Sequence, residues 1–259
     1  MEEDYSAVSI TANLGTSIIG RRVIYFPRLP STMVKARQEV QREAAEGTVI
    51  IAGEQLEGRG RVKRAWLSPP GNIALSVILY PPVTCLPYLV MLASIAVARS
   101  IEAVAALKPQ IKWPNDILIN GKKVCGILLE SQVRKDRVIY AIAGIGINVS
   151  LRAADFPEIQ LTATSLNEEL GRKISRLALI RQLLVEMERL YLSLPESEAI
   201  YHEWESRLIT LGKRVSVTSS YNMLEGIAES VDRNGALMLR QDNGRLIRII
   251  AGDVTLREK

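Results

Sequence analysis

"ILINGKKVCGILLES", residues 117–131, decides the fold. Asn120-Gly121 separates two apolar arms, and Asn-Gly between apolar runs is the strongest short hairpin signal, because both turn positions need positive φ. The stretch therefore reads as an antiparallel hairpin. "VIYAIAGIGINV" (138–149) follows as a further buried strand, whose glycines let another group approach the backbone closely. Upstream, "IKWPND" (111–116) is a strand that must end near Pro114, since proline offers no N–H to a sheet ladder.

Working outward, "RRVIYF" (21–26) reads as a first strand, and "TVIIAGEQ" (48–55) and "NIALSVILY" (72–80) as apolar strands. "STMVKARQEVQREAAEG" (31–47) predicts a helix, with Ser31 or Thr32 as its N-cap and Gly47 as its stop. "LPYLVMLASIAVARSIEAVAAL" (86–107) predicts a long helix, apolar all round at its start and therefore central. Leu177, Ile180, Leu184, Met187 and Tyr191 form a helical stripe over 174–191, and a second helix is expected around 196–208. After Leu211-Gly212 the texture changes to five short β-type runs, "KRVSVTSS", "MLEGIAESV", "GALMLRQ", "RLIRII" and "DVTLRE". They are separated by turn signals at 232–235 and 242–244, which suggests a small barrel. The expected fold class is α+β: a mixed, mostly antiparallel sheet with helices, followed by a small C-terminal β-barrel. The expected division is an N-terminal extension (1–20), a main domain (21–210) and the barrel (211–259).

With 259 residues, 47% of them hydrophobic, the chain can bury a sizeable core. Its net charge of +5 favours anionic partners. Cys85 and Cys125 form no CxxC pair, so a reducing cytoplasm is the simplest setting. His202 is the one histidine, which excludes a multi-histidine metal site. No charge lies between Arg64 and Arg99, but prolines at 69, 70, 81, 82 and 87 cut that run into pieces too short for a span of roughly 20 apolar residues. The acidic opening residues lack the apolar core of a signal peptide. A soluble protein is expected.

"GEQLEGRGRVKRAW" (53–66) carries Arg59, Arg61, Lys63 and Arg64 with Gly58 and Gly60. Such a loop can wrap an anion with guanidinium groups and free backbone N–H groups, although charge runs are also ordinary solvated surface. It is no Walker loop, since GxxxxGK[ST] is absent, and no repeated aromatic-basic pattern supports RNA binding. Trp66 can stack on a flat ligand or plug the core beneath the loop. "KWPND" (112–116) is either a plain strand-end turn or a fixed platform for Asn115 and Asp116, the latter able to hold Mg²⁺ or orient an amine. Lys123 folds back towards Asp116 across the hairpin. Asn148 inside "GIGINV" needs partners for its amide, with a backbone cap as the alternative.

In combination these segments resemble the biotin protein ligases. The resemblance rests on "STM" (31–33), "EQLEGRGRVKRAWLSP" (54–69), "KWPND" (112–116), "KKVCGILLE" (122–130), "GIGINV" (144–149) and the C-terminal "GKRV", "EGIAESVDRNGALML" and "AGDVTLR". It covers nearly the whole chain beyond about residue 20, in the family's order. It implies a class II synthetase-like catalytic domain, an SH3-like barrel, and ligation of biotin to a lysine of a biotin carboxyl carrier protein through biotinyl-5′-AMP, with ATP and Mg²⁺. Ser31, Thr32, Met33 and Gln55 would then meet biotin. Gly58, Arg59, Gly60 and Arg61 would fold over it. Lys123 would sit at its carboxylate, and catalysis would rest on Arg61, Lys123 and Asp116. Arg61, Arg64, Trp66, Asn115 and Asn148 would bind ATP, with Asn148 and Asp116 placing the metal. The resemblance also implies a homodimer formed through the sheet, and no DNA or membrane partner; about twenty residues precede the core, too few for the DNA-binding domain of some relatives.

Two departures stand out. Met33 replaces a common asparagine, and Leu56-Glu57 a smaller, more neutral pair. The rivals are a lipoate–protein ligase with the same acyl-adenylate chemistry, a ligase that has lost catalysis, and a non-catalytic nucleotide- or RNA-binding protein.

Overall fold

The computed structural model describes residues 6–61, 64–218 and 223–256. Lys63 of the basic segment and the last residues of "KRVSVTSS" lie outside them. In chain order the elements are α1 (Ala7–Thr11), β1 (Val23–Phe26), α2 (Thr32–Val40), β2 (Val49–Ala52), β3 (Ile73–Leu79), α3 (Tyr88–Ala105), β4 (Gln110–Lys112), β5 (Asp116–Ile119), β6 (Lys122–Arg134) and β7 (Arg137–Ile147). There follow α4 (Leu166–Leu170), α5 (Arg176–Leu192), α6 (Ser197–Ser206), β8 (Arg214–Thr218), β9 (Met223–Val231), β10 (Leu237–Arg240), β11 (Leu246–Ile249) and β12 (Asp253–Leu256).

The hairpin falls where the sequence places it. Asn120 and Gly121 take φ of 50° and 80° between β5 and β6, and β6 pairs antiparallel with β7 along most of its length. The full seven-stranded order is β1-β2-β3-β7-β6-β5-β4. Only β1 and β2 run parallel, with α2 as the crossover that parallel neighbours require. The sheet is therefore mixed and mostly antiparallel, as expected.

One face of this sheet carries α3, backed by α5 and α6. Helix α3 is apolar and long enough to cross a membrane by length and composition, yet 67% of it is buried in the protein core. It falls within the long helix expected over 86–107. On the opposite face α2 packs through Met33 and Ala36 on a small cluster with Ile50, Ile78 and Ile142. That face, beside α2, is left open for a site.

The helix expected over 31–47 stops at Val40. Residues 41–47 turn instead, because the chain must enter β2 within a few residues: Glu43 adopts φ 58° and Gly47 φ 74°. Gly47 is required there for contact, since a Cβ would lie 2.2 Å from the Ile18 carbonyl oxygen.

Residues 6–20 pack into the main body, with Ile10 and Ile19 fully buried. Beyond residue 211 the five expected strands form an antiparallel sheet in the order β11-β10-β9-β8-β12. Among the described residues no pairing joins β11 to β12, so an open sheet describes it.

Candidate active site

A patch of sheet without side chains forms the floor. Gly144 and Gly146 lie two apart on β7 and share one face, and Gly126 on β6 pairs directly with Gly146. A Cβ on Gly146 would lie 2.4 Å from the Trp66 indole nitrogen, and one on Gly126 would lie 3.0 Å from the same ring. Trp66 therefore rests on the bare backbone. A Cβ on Gly144 would lie 2.6 Å from the Met33 sulfur, so Met33 covers the neighbouring part of the floor.

The basic segment is a β-hairpin laid over this floor. Gln55 bridges to Ser68 and Arg59 to Ala65. The Gly60 N–H donates to the Arg64 carbonyl (2.8 Å) and the Trp66 N–H to the Gly58 carbonyl (2.9 Å). Gly58 has no room for a side chain, because a Cβ would meet the Trp66 oxygen at 2.3 Å. Arg61, near the tip, is partly buried. It donates to Asn115 Oδ1 (3.2 Å) and to the Gly252 carbonyl (3.4 Å). Burial lowers its pKa against the opposing fields of Asp253 and Asp116, and a guanidinium remains a cation at neutral pH regardless. Arg64, more exposed, pairs with Asp253 at 2.8 Å.

At one end of the cavity stand Ser31 and Thr32, both buried at the start of α2. The Thr32 N–H and hydroxyl donate to Gln55 Oε1 (2.8 and 3.0 Å), and Ser76 donates to the Thr32 hydroxyl (2.8 Å). With its carbonyl engaged, the Gln55 amide presents its NH₂ as a donor. At the other end Asp116 pairs with Lys123 at 2.6 Å and more loosely with Lys112 at 3.7 Å. The Lys123 ammonium sits 5.4 Å from the Trp66 ring centroid. Asn115 donates to the Ile127 carbonyl and accepts Arg61, which ties the bend after Pro114 to β6.

One cavity is thus lined by Ser31, Thr32, Met33, Gln55, Arg59, Gly60, Arg61, Arg64, Trp66, Asn115, Asp116 and Lys123. These residues come from four separate stretches of the chain, 31–33, 55–66, 115–116 and 123. Gly58 supports the hairpin from behind. Asn148 does not line the cavity: it is buried, and its amide donates to the Thr164 carbonyl (3.1 Å), fastening the end of β7 to the 163–166 segment. For a metal, the two residues singled out do not converge, since both Asp116 oxygens face lysines. Among the described residues no cluster of three or more metal-ligating side chains forms. Sequence reasoning missed Asp253, which lines the cavity from the C-terminal sheet; "AGDVTLR" entered only as part of the resemblance. Cys125 has its thiol pushed up by burial beneath the sheet, so it is no nucleophile.

Fold and site together define a class: residues 25–148 match the biotin/lipoate A/B protein ligase family, and residues 210–257 the biotin protein ligase C-terminal domain. The chain is 39% identical over 257 residues to the bifunctional ligase/repressor BirA of Bacillus spizizenii, covering 97% of this chain and 79% of that one. It is 33% identical over 207 residues to the biotin–[acetyl-CoA-carboxylase] ligase of Paracoccus denitrificans, covering 76% and 86%. The structure of the biotin protein ligase from Aquifex aeolicus in complex with biotin and ATP superposes with a TM-score of 0.77 at 26% identity, covering 92% of this chain and 100% of that one. The chain belongs to the biotin protein ligase family.

Proposed function

We propose that this protein joins biotin to ATP, forming biotinyl-5′-AMP, and passes the biotinyl group to a lysine of a biotin carboxyl carrier protein. The observation that carries the reading is the cavity itself: a polar clamp at one end, a glycine floor in the middle, and cations at the other end. That layout suits a neutral fused-ring head, an apolar chain and a carboxylate meeting a polyphosphate. The Gln55 NH₂ with Ser31 and Thr32 would bind the ureido ring, and Met33 on Gly144 would line the apolar stretch. Lys123 would hold the biotin carboxylate as one of its oxygens attacks the α-phosphorus and pyrophosphate leaves. Asp116 would keep that ammonium aimed, from 2.6 Å away. Arg59, Arg61 and Arg64 would meet the phosphates, and Trp66, Asn115 and Asn148 would shape the nucleotide site, Asn148 by fixing the strand end beneath it.

In the second step the carrier amine attacks the mixed-anhydride carbonyl, the C–O bond to phosphate breaks, and AMP departs with the electron pair. The closed hairpin would keep water from the anhydride. Among the described residues no cluster of metal-ligating side chains forms a magnesium cage, so Mg²⁺ would arrive with ATP and rely mainly on phosphate and water for its ligands. The basic hairpin is assigned to ATP rather than to nucleic acid. The same reading includes a catalytic part to residue 210, a C-terminal part from 211, a homodimer formed through the sheet, and a cytoplasmic setting.

Purified protein with ATP and Mg²⁺ should release pyrophosphate when biotin is added, and not with lipoate or without an acid. Release with lipoate alone would move the chain to the sister activity. Silence with every acid, in folded protein, would sink the proposal.

A further inference from the structure

Asp253 is an acidic group in a cavity assigned above to a polyanion. Asp116, the other acid lining it, is occupied by Lys123 and Lys112. Asp253 has a different partner: its Oδ2 lies 2.8 Å from Arg64, and the preceding carbonyl, of Gly252, accepts from Arg61 at 3.4 Å. These two acceptors are successive residues at the start of β12, which is fixed by its pairing with β8 from Asp253↔Thr218 onward. The arginines, by contrast, sit at the tip of a hairpin closed by single bridges. A paired strand of the C-terminal sheet thus holds two of the three arginines that the ligase reading gives to phosphate.

Resting on that reading, we infer that Asp253 is an exchange anion: it holds Arg64 until nucleotide arrives, and the phosphates then displace it. The pair is suited to exchange. Arg64 has a side chain 68% exposed and Asp253 one 30% exposed, and ion pairs at such sites are worth little, whereas guanidinium–phosphate contacts are charge-assisted and often bidentate. Once displaced, the carboxylate faces the phosphates as a like charge. Asp253 therefore positions the hairpin in the free protein and weakens ATP binding in the loaded one. It acts through Arg64 and touches neither biotin nor the reacting atoms.

The test is the steady-state kinetics of biotin-dependent pyrophosphate release for Asp253→Asn and Asp253→Glu. Removing the charge should lower KM for ATP by roughly two- to fivefold, with kcat and the KM for biotin unchanged, while the glutamate variant keeps the parental KM. In an Arg64→Ala background the effect of Asp253→Asn should shrink, because the two residues act as a pair. Asp253→Ser repeats the charge removal should the asparagine variant not fold. A KM for ATP that stays put or rises in the charge-removed variants would overturn the exchange role, as would a glutamate variant that behaves like asparagine. If the parent itself released no pyrophosphate with biotin, the ligase reading would fail instead, so the two failures are distinct.

Discussion

Lys123 shows how far a single residue was legible. A lysine entering a buried strand beside "VCGILLE" must find an anion or reach solvent, and the hairpin register brings it to Asp116 at 2.6 Å. Its replacement by alanine should cost on the order of 10²–10³ in kcat/KM for adenylate formation, as expected for loss of a group that meets developing charge, and adenylate made at the parental rate would remove Lys123 from the mechanism. Gly146 was legible only as a place of close approach. What approaches, the Trp66 indole, comes from eighty residues away, and no local pattern names it. Gly146→Ala puts a methyl group 2.4 Å from the ring nitrogen, so the indole must shift. KM for ATP and biotin should rise and tryptophan emission should change, with little loss of fold. Unaltered kinetics and emission would mean the indole has no part in the cavity. Asp253 carried no signal at all, because an Asp at a strand start is ordinary and its partner is set by tertiary docking.

At the scale of elements, strands are legible in the sequence, because continuous apolar runs bounded by turn residues have few alternatives. The end of α2 is not legible: helix-forming residues 41–46 are overridden by the need to turn into β2, and Glu46 is used to accept the Tyr80 N–H at 2.9 Å. The segment before β1 was also opaque. It is anchored by Glu188 on α5, whose carboxylate accepts the N–H groups of Ser17, Ile18 and Ile19 at 2.6–2.7 Å. Burial alone would raise this carboxyl, but the backbone donors outweigh it and hold its pKa below the ordinary value. A depressed folded pKa gives stability that is present above the unfolded carboxylate pKa and is lost as pH falls through the folded one. Glu188→Gln should therefore cost about 1.5–3 kcal/mol near pH 7 by urea denaturation, and the gap to the parent should narrow below about pH 4.3. A gap constant down to pH 3 would mean the charge contributes nothing.

For the whole molecule, the change of texture after Leu211-Gly212 marks the second sheet correctly, but nothing in it says how that sheet docks. Local φ chooses turn residues, and the Asp232–Gly235 turn reads the same whether free or packed. Here it is packed. Trp113, fully buried, donates its indole N–H to the Gly235 carbonyl at 2.8 Å, Tyr201 on α6 donates to the Val231 carbonyl at 2.8 Å, and Arg233 lies 4.4 Å from the Tyr201 ring centroid. The turn therefore closes on Trp113 and α6 with buried and half-buried polar contacts, which a loosely tethered domain would lack. Both parts should unfold together, in one calorimetric transition. Gly235 holds φ 78° with Met91 and Trp204 around it, so Gly235→Ala should cost more than about 1 kcal/mol through the strained backbone. Trp113→Phe should cost about 1–3 kcal/mol by removing its half-buried hydrogen bond and trimming a fully buried ring. Because either change strikes the seam rather than one core, the endotherm should broaden or split, with the C-terminal sheet melting first. Two separate transitions in the parent would show instead that the seam is too weak to couple the parts.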